Sequence, residues 1–88
     1  MWQIKLSKNA KNFAEQERIE DDRILGLMNK YINYLRGRSE NIDVKKMKGP
    51  WKGYHRIRIG KIRIILKTDF EKHSIFIDRI DFRGNIYK

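Results

Sequence analysis

Arginine recurs at three positions within the isoleucine-rich segment 53–66, GYHRIRIGKIRIIL. Burying an arginine is costly, and a purely solvated surface has no need of arginine rather than lysine. The guanidinium group of arginine offers a planar fork of donors that matches the oxygens of a phosphate or a carboxylate. The spacing of Arg56, Arg58 and Arg63 therefore indicates a site for an anion.

The charge of the chain is strongly positive and unevenly distributed. It contains 21 Lys and Arg against 11 Asp and Glu, a formal net charge of +10, and residues 41–88 hold 13 of the basic and 5 of the acidic residues. Such an excess favours a polyanionic ligand, nucleic acid above all. A surface charged only for solubility and an acidic protein partner are the two alternatives.

Composition narrows the class of protein. At 88 residues the chain is predicted to be one domain, spanning 1–88. The absence of cysteine excludes a disulfide framework and a cysteine-based zinc site. We find no apolar run of membrane-spanning length and no signal-peptide core near the N-terminus, so we expect a soluble, cytoplasmic protein with no membrane partner.

The order of elements predicts an α+β fold. Segment 2–6 alternates like a strand, Ser7 is a natural helix N-cap, and the apolar spacing that follows predicts helices over about 8–18 and 21–36. Four strand candidates then cover 44–48, 54–59, 62–68 and 74–80, and Gly60-Lys61 is a tight hairpin signal that fits a type II′ turn. We predict an N-terminal strand, a two-helix hairpin and then antiparallel strands, with the helices on one face of the sheet.

Strand alternation separates the arginines from the isoleucines. Ile57 and Ile59 point to one face and Arg56 and Arg58 to the other, and Arg63 joins them across the hairpin. The isoleucines belong on the face that the helices cover. The three arginines are therefore predicted to converge on the helix-free face.

Pairing with acidic neighbours is the competing interpretation of these arginines. Glu71, Asp78 and Asp81 lie on or next to the neighbouring strand, and charge ladders of this kind are common. Since basic residues outnumber acidic ones so heavily in this half of the chain, most of them must remain without an acidic partner.

The element order, the segments KKMKG and GYHRIRIGKIRII and the ending FRGNIYK resemble the RelE/ParE superfamily of toxins, in particular archaeal-type members of the RelE branch. The resemblance implies a small sheet packed on two helices. It also implies a metal-independent endoribonuclease without a cofactor, an mRNA interferase that cuts in the ribosomal A site. The partners it implies are the ribosome, mRNA and a cognate RelB-like antitoxin of acidic or amphipathic character.

The resemblance also assigns site residues. Its implied catalytic set is Arg56, Arg58, Arg63, Arg83 and Tyr87. Arg83 would stabilise the phosphate near the leaving group, and Tyr87 would orient the 2′-hydroxyl, act as a base or stack on a nucleobase. Five lysines are predicted to contact RNA phosphates, namely Lys45, Lys46, Lys48, Lys52 and Lys61.

Two departures from the family pattern lie close to this set. Ile62 stands where an aromatic residue is usual, and Phe82 stands where a histidine often precedes the terminal arginine.

Two other functions stay open at this point: a ParE-like toxin that inhibits DNA gyrase, and an RNA-binding protein without cleavage. His55, on the opposite face from Arg56, is predicted to be a partly buried or satisfied histidine rather than a catalytic one.

Overall fold

The computed structural model of the chain describes residues 2–82, in which two helices pack on one face of a five-stranded sheet. The elements in order are β1 (Gln3–Leu6), α1 (Lys8–Gln16), α2 (Asp21–Leu35), β2 (Asp43–Lys46), a short 3₁₀ helix (Gly49–Trp51), β3 (His55–Ile59), β4 (Ile62–Asp69) and β5 (Ser74–Phe82). This arrangement confirms the predicted α+β fold.

The strand order in the sheet is β1-β5-β4-β3-β2. The three pairs formed by β2 to β5 are antiparallel, as predicted. β1 instead lies parallel to β5 at the far edge, where Ile4 is the register partner of Ile75. No local sequence signal gives this pairing, because the two strands are separated by most of the chain.

Local signals set the element boundaries. The Ser7 hydroxyl accepts a hydrogen bond of 3.0 Å from the Ala10 amide, the expected N-cap of α1. Beyond α2, Gly37 has a φ of +79°, the left-handed conformation that commonly ends a helix. In the β3–β4 hairpin, Gly60 has a φ of +59° and Lys61 does not have a positive φ, in agreement with the predicted type II′ turn.

The core lies between the helices and one face of the sheet. Ile57, Ile64 and Leu66 of the central strands are fully or almost fully buried there, together with Met28 and Tyr31 of α2. The Tyr31 hydroxyl shares a hydrogen bond of 2.8 Å with the Thr68 hydroxyl. Burial of the Tyr31 side chain raises the pKa of its phenol. All apolar residues that alternation assigned to the interior of β3 are found there.

A β-bulge interrupts the pairing of β4 with β5. Ile65 is the register partner of Arg79, but the next residue, Leu66, is the partner of Ile77, so that Asp78 is the extra residue of β5. The backbone carbonyl of Asp78 accepts a hydrogen bond of 2.5 Å from the Ser7 hydroxyl. The bulge shifts the alternation of β5 by one residue, which turns Arg79 onto the helix-free face.

Candidate nucleic-acid interface

The strand registers place two rows of side chains across the helix-free face of the sheet. The first row is Asp43, Arg58, Arg63 and Asp81, and the second row is Lys45, Arg56, Ile65 and Arg79. Directly opposite side chains on neighbouring antiparallel strands lie about 5 Å apart at Cβ. The sheet therefore gathers Arg56, Arg58 and Arg63 on one face, as the sequence predicted.

Arg56 and Arg58 converge on one carboxylate oxygen. Arg58 donates to Oδ2 of Asp43 from Nε at 2.9 Å and from Nη2 at 2.6 Å, and Nη2 of Arg56 lies 3.4 Å from the same oxygen. The hydrogen bond from Arg58 is the main cause that holds the pKa of Asp43 below its usual range. Two guanidinium groups that lie two residues apart on β3 can thus bind a single anionic oxygen.

Asp43 was not among the acidic partners considered from the sequence. Of Glu71, Asp78 and Asp81, none forms the ion pair with Arg56 or Arg58 that the competing interpretation required. Asp43 was not predicted as a partner because the predicted strand begins at residue 44, which places Asp43 in the preceding loop. In the structure β2 begins at Asp43, and its side chain shares the helix-free face with the arginines.

Arg63 lies on the predicted face but is buried there. It faces away from the helices and is the register partner of both Arg58 and Asp81, yet its relative exposure is only 3%. Ile65, the other residue of the central strand on this face, is also buried and is separate from the main core. The accessible guanidinium groups at this end of the face are therefore those of β3, while Arg63 lies beneath the surface beside them.

The predicted RNA-binding lysines fall into two groups. Lys46, Lys48 and Lys52 line one recess of about 470 Å³ around the 3₁₀ helix, together with Tyr54 and His55. Lys45 is exposed beside Arg56, and Lys61 is exposed at the tip of the β3–β4 hairpin. All five are exposed, so the structure leaves their proposed contacts with phosphate sterically open.

A second recess adjoins the arginine pair. It measures about 390 Å³ and is lined by Asn41, Ile42, Asp43, Arg58 and Gly60. Its lining is mostly polar and includes both partners of the ion pair between Arg58 and Asp43.

Aromatic rings and cations alternate farther along the same face. The guanidinium carbon of Arg79 lies 5.5 Å from the ring centroid of Trp51, and Nζ of Lys67 lies 5.8 Å from that of Tyr54. The two rings meet edge to face at 5.3 Å. Strand alternation correctly places Lys67 on the same face as Arg63, although no RNA contact was predicted for it. Arg79 was missed because of the bulge: strict alternation places residue 79 on the same face as the core residue Ile77.

Some predicted features lie outside the described residues or receive no structural counterpart. Arg83 and Tyr87, the C-terminal part of the predicted catalytic set, lie outside residues 2–82. Within the described part of the chain, no group of three or more His, Asp or Glu residues could hold a metal ion. Neither described helix has both the length and the apolar character that a membrane span requires.

His55 lies on the helix-covered face, opposite to Arg56, as predicted. It is partly buried and is the register partner of Lys46 and Leu66. This partial burial agrees with the prediction, and the Nδ1 atom is buried with no hydrogen-bond partner among the described residues. Burial lowers the pKa of His55, and the charge of Lys46 lowers it further.

The lowered pKa of His55 predicts a loss of stability in mild acid. Between the folded-state pKa and the unfolded value of about 6.5, the unfolded chain binds a proton that the folded chain does not, so the free energy of unfolding falls as the pH drops through this range. We expect urea unfolding to show lower stability at pH 5.5 than at pH 7.5, and His55→Gln to reduce this difference. A variant with an unchanged pH dependence would contradict the assignment.

Comparison with known proteins gives a consistent result at the level of fold. No protein-family model and no curated protein sequence matches the chain. Among solved structures, a YafQ variant from E. coli is similar with a TM-score of 0.65 and 19% identity over 100% of both chains. The toxin-antitoxin complex RelBE2 from Mycobacterium tuberculosis gives 0.61 and 19%, covering 93% of this chain and 98% of that chain. The RelB-RelE antitoxin-toxin complex from Methanococcus jannaschii gives 0.57 and 22%, covering 94% of both.

The similarity covers nearly the whole length of this chain and of each of these structures. Two of them are complexes between a toxin and its antitoxin. The resemblance noted in the sequence thus extends to the three-dimensional structure, and we conclude that the chain has the fold of the RelE/ParE superfamily toxins.

Proposed function

We propose that this protein is the toxin of a toxin-antitoxin pair and that it cleaves mRNA in the ribosomal A site. The observation that carries the proposal is the convergence of Arg56 and Arg58 on one oxygen of Asp43. A phosphate oxygen of RNA carries the same charge as that carboxylate oxygen and accepts hydrogen bonds in the same way. The similarity to solved toxin-antitoxin complexes of the same fold supports the toxin part of the proposal.

The chemistry that suits such a site uses the RNA as its own nucleophile. The 2′-hydroxyl attacks the adjacent phosphorus in line, the bond from phosphorus to the 5′-oxygen breaks, and the products are a 2′,3′-cyclic phosphate and a 5′-hydroxyl. Negative charge accumulates on the non-bridging oxygens in the transition state. Guanidinium groups already aimed at an oxyanion stabilise that charge without reorganisation, and this is often the largest single contribution to catalysis.

The proton transfers are assigned to the end of the chain. Tyr87 orients the 2′-hydroxyl or takes its proton, and Arg83 stabilises the leaving side of the phosphate, in line with the resemblance of FRGNIYK to the toxin family. Arginine almost never gives up its proton, so Arg56 and Arg58 act through charge and hydrogen bonds. Arg63 is buried between its first-row neighbours Arg58 and Asp81, and its charge adds to the positive potential at the phosphate.

The proposed partners follow from the same assignment. A basic toxin of net charge +10 calls for an acidic or amphipathic antitoxin that masks its helix-free face. The exposed lysines Lys45, Lys46, Lys48, Lys52 and Lys61 hold mRNA or ribosomal RNA through its phosphates. Because ribosomes are the site of action, the proposed activity is cytoplasmic.

Primer extension on a defined mRNA, with and without programmed ribosomes, tests this function. We expect cleavage within A-site codons by the wild-type protein, a loss of cleavage in Arg83→Ala, and a strong reduction in Tyr87→Phe. Absence of cleavage under every condition would exclude the nuclease. A DNA supercoiling assay would then test gyrase inhibition, and a filter-binding assay would test RNA binding without cleavage.

Removal of the Asp43 carboxylate is expected to strengthen RNA binding. In the free protein this carboxylate occupies the position proposed for the phosphate, so an RNA ligand has to displace it. Because the ion pair is exposed and therefore weak, Asp43→Asn should raise the affinity for single-stranded RNA only modestly, by up to about fivefold at low salt. Fluorescence anisotropy with a labelled oligonucleotide measures the change.

Asp22→Asn provides the matched control for this variant. Asp22 is an exposed carboxylate in the first turn of α2, on the opposite side of the sheet, and its substitution changes the net charge equally. Equal gains in affinity for both variants would mean that net charge alone is responsible, and the displacement of Asp43 would be refuted.

A further inference from the structure

The helix-free face continues beyond the arginine pair into an array of cations and aromatic rings. The second row leads from Arg56 across Ile65 to Arg79, whose guanidinium group lies over Trp51. Tyr54 contacts Trp51 edge to face, and the ammonium group of Lys67 lies over the ring of Tyr54. None of these four residues has a part in the catalytic assignment above.

Arg79 is available to a ligand. Its side chain is 53% exposed, and within the described residues its ion pair is with Asp78, whose Oδ2 lies 3.8 Å from Nε, at the outer limit of an ion pair. An exposed pair of this length contributes little. The contact with Trp51 instead fixes the guanidinium group near an aromatic face, and this leaves a planar cation presented on the open side of the sheet.

The position of this pair relative to Arg56 fits a single-stranded RNA. Arg56 lies on β3 and Arg79 on β5, two strand spacings apart in the same row, which is roughly 10 Å. A nucleotide whose phosphate is held by Arg56 and Arg58 can therefore extend its own base or that of its neighbour toward Arg79. Unpaired RNA bases are commonly held by stacking on aromatic rings or on guanidinium planes, often on the open face of a sheet.

We propose that Arg79 and Trp51 form a nucleobase-stacking subsite, in which an unpaired base of the bound RNA stacks on the Arg79–Trp51 pair beside the phosphate held by Arg56 and Arg58. This inference rests on the proposed RNA-cleaving function. It adds a substrate contact that selects single-stranded RNA over a duplex, because a stacked and paired base cannot reach the subsite. Arg79 and Trp51 are binding residues in this assignment and take no part in the proton transfers.

The test uses single-stranded oligonucleotides with 2′-O-methyl riboses, which cannot be cut because the nucleophilic hydroxyl is blocked. One oligonucleotide is complete, and each of the others lacks the base at one position. For the wild-type protein we expect one abasic position to lower the affinity by roughly 5- to 100-fold. Arg79→Ala should lose a similar factor on the complete oligonucleotide and lose nothing further at that abasic position, because the two changes remove the same contact.

Three variants separate stacking from charge and from folding. Arg79→Lys keeps the positive charge but not the plane, and we expect it to lose the dependence on the base. Arg23→Ala removes an exposed arginine from α2, on the other side of the sheet, and should keep the full dependence on the base. Trp51→Phe retains a ring and should fall between the wild type and Arg79→Ala, which tests the subsite even if Arg79→Ala folds poorly.

The outcomes distinguish this inference from the function on which it rests. Cleavage that requires Arg58, with equal abasic penalties in the wild type and Arg79→Ala, would overturn the subsite and leave the nuclease intact. Absence of binding of the complete oligonucleotide by the wild-type protein would overturn the subsite, whereas the nuclease itself is overturned only by absence of cleavage on programmed ribosomes. Stronger binding of duplex than of single-stranded RNA would also overturn the subsite.

Discussion

Arg58→Ala is expected to lower the rate of RNA cleavage by about 100- to 1,000-fold, the loss that follows removal of one preorganised donor to a developing oxyanion. Arg58 supplies two of the three donors that converge on the Asp43 oxygen, at 2.9 and 2.6 Å, and Arg56 supplies the third at 3.4 Å. We therefore expect Arg56→Ala to cost less than Arg58→Ala. Single-turnover cleavage of a defined mRNA on programmed ribosomes gives the rates.

The same substitution should leave the fold almost unchanged. The Arg58 side chain is 31% exposed, and its ion pair is with a carboxylate that is 51% exposed, so the loss of the pair is expected to change the free energy of unfolding only slightly. Arg58→Lys retains the charge without the fork and should recover only part of the rate. A wild-type rate in Arg58→Ala, at full folding, would remove this residue from the catalytic site.

Ile57→Ala is expected to have the opposite effects. Ile57 lies between Arg56 and Arg58 in the chain but points into the core, where it is fully buried and is the register partner of Val44 and Ile64. Truncation of a fully buried isoleucine leaves a cavity and costs about 2–5 kcal/mol. Since small domains are stable by only about 5–15 kcal/mol, this is a large part of the total.

Urea unfolding measures this cost, and Ile57→Val is the graded control at about 0.5–1.5 kcal/mol. The folded fraction of Ile57→Ala should still bind RNA, because its arginines remain on the other face. A loss of less than about 1 kcal/mol in Ile57→Ala would show that Ile57 is not a core residue, and it would contradict the division of β3 into a core face and a ligand face.

This division of β3 is the part of the account that the sequence predicts best. Period-two alternation over residues 55–59 requires the isoleucines and the arginines to separate, whatever the rest of the chain does. Ser7 and the Gly60-Lys61 pair likewise act through their immediate neighbours, so that their roles in capping and turning were predictable. The two helices follow from the periodicity of their apolar residues.

The rest depends on contacts between distant segments. The parallel placement of β1 beside β5 joins residues such as Ile4 and Ile75, for which no local pattern exists. The bulge at Asp78 reverses the alternation of β5 and brings Arg79 onto the ligand face, although an unbroken pattern would bury it. Asp43 belongs to the site because β2 begins one residue earlier than the apolar pattern suggests.

The central claim is that the helix-free face of the sheet is the RNA site, and titration of the isotope-labelled protein with an uncuttable 2′-O-methyl RNA, followed by NMR, tests it most directly. We predict that the side-chain Nε resonances of Arg56 and Arg58 and the amide of Lys45 shift progressively with added RNA. The amides of Arg23 and Lys30, exposed on α2, should stay in place. Shifts confined to α2, with the arginine resonances of β3 unchanged, would contradict the account.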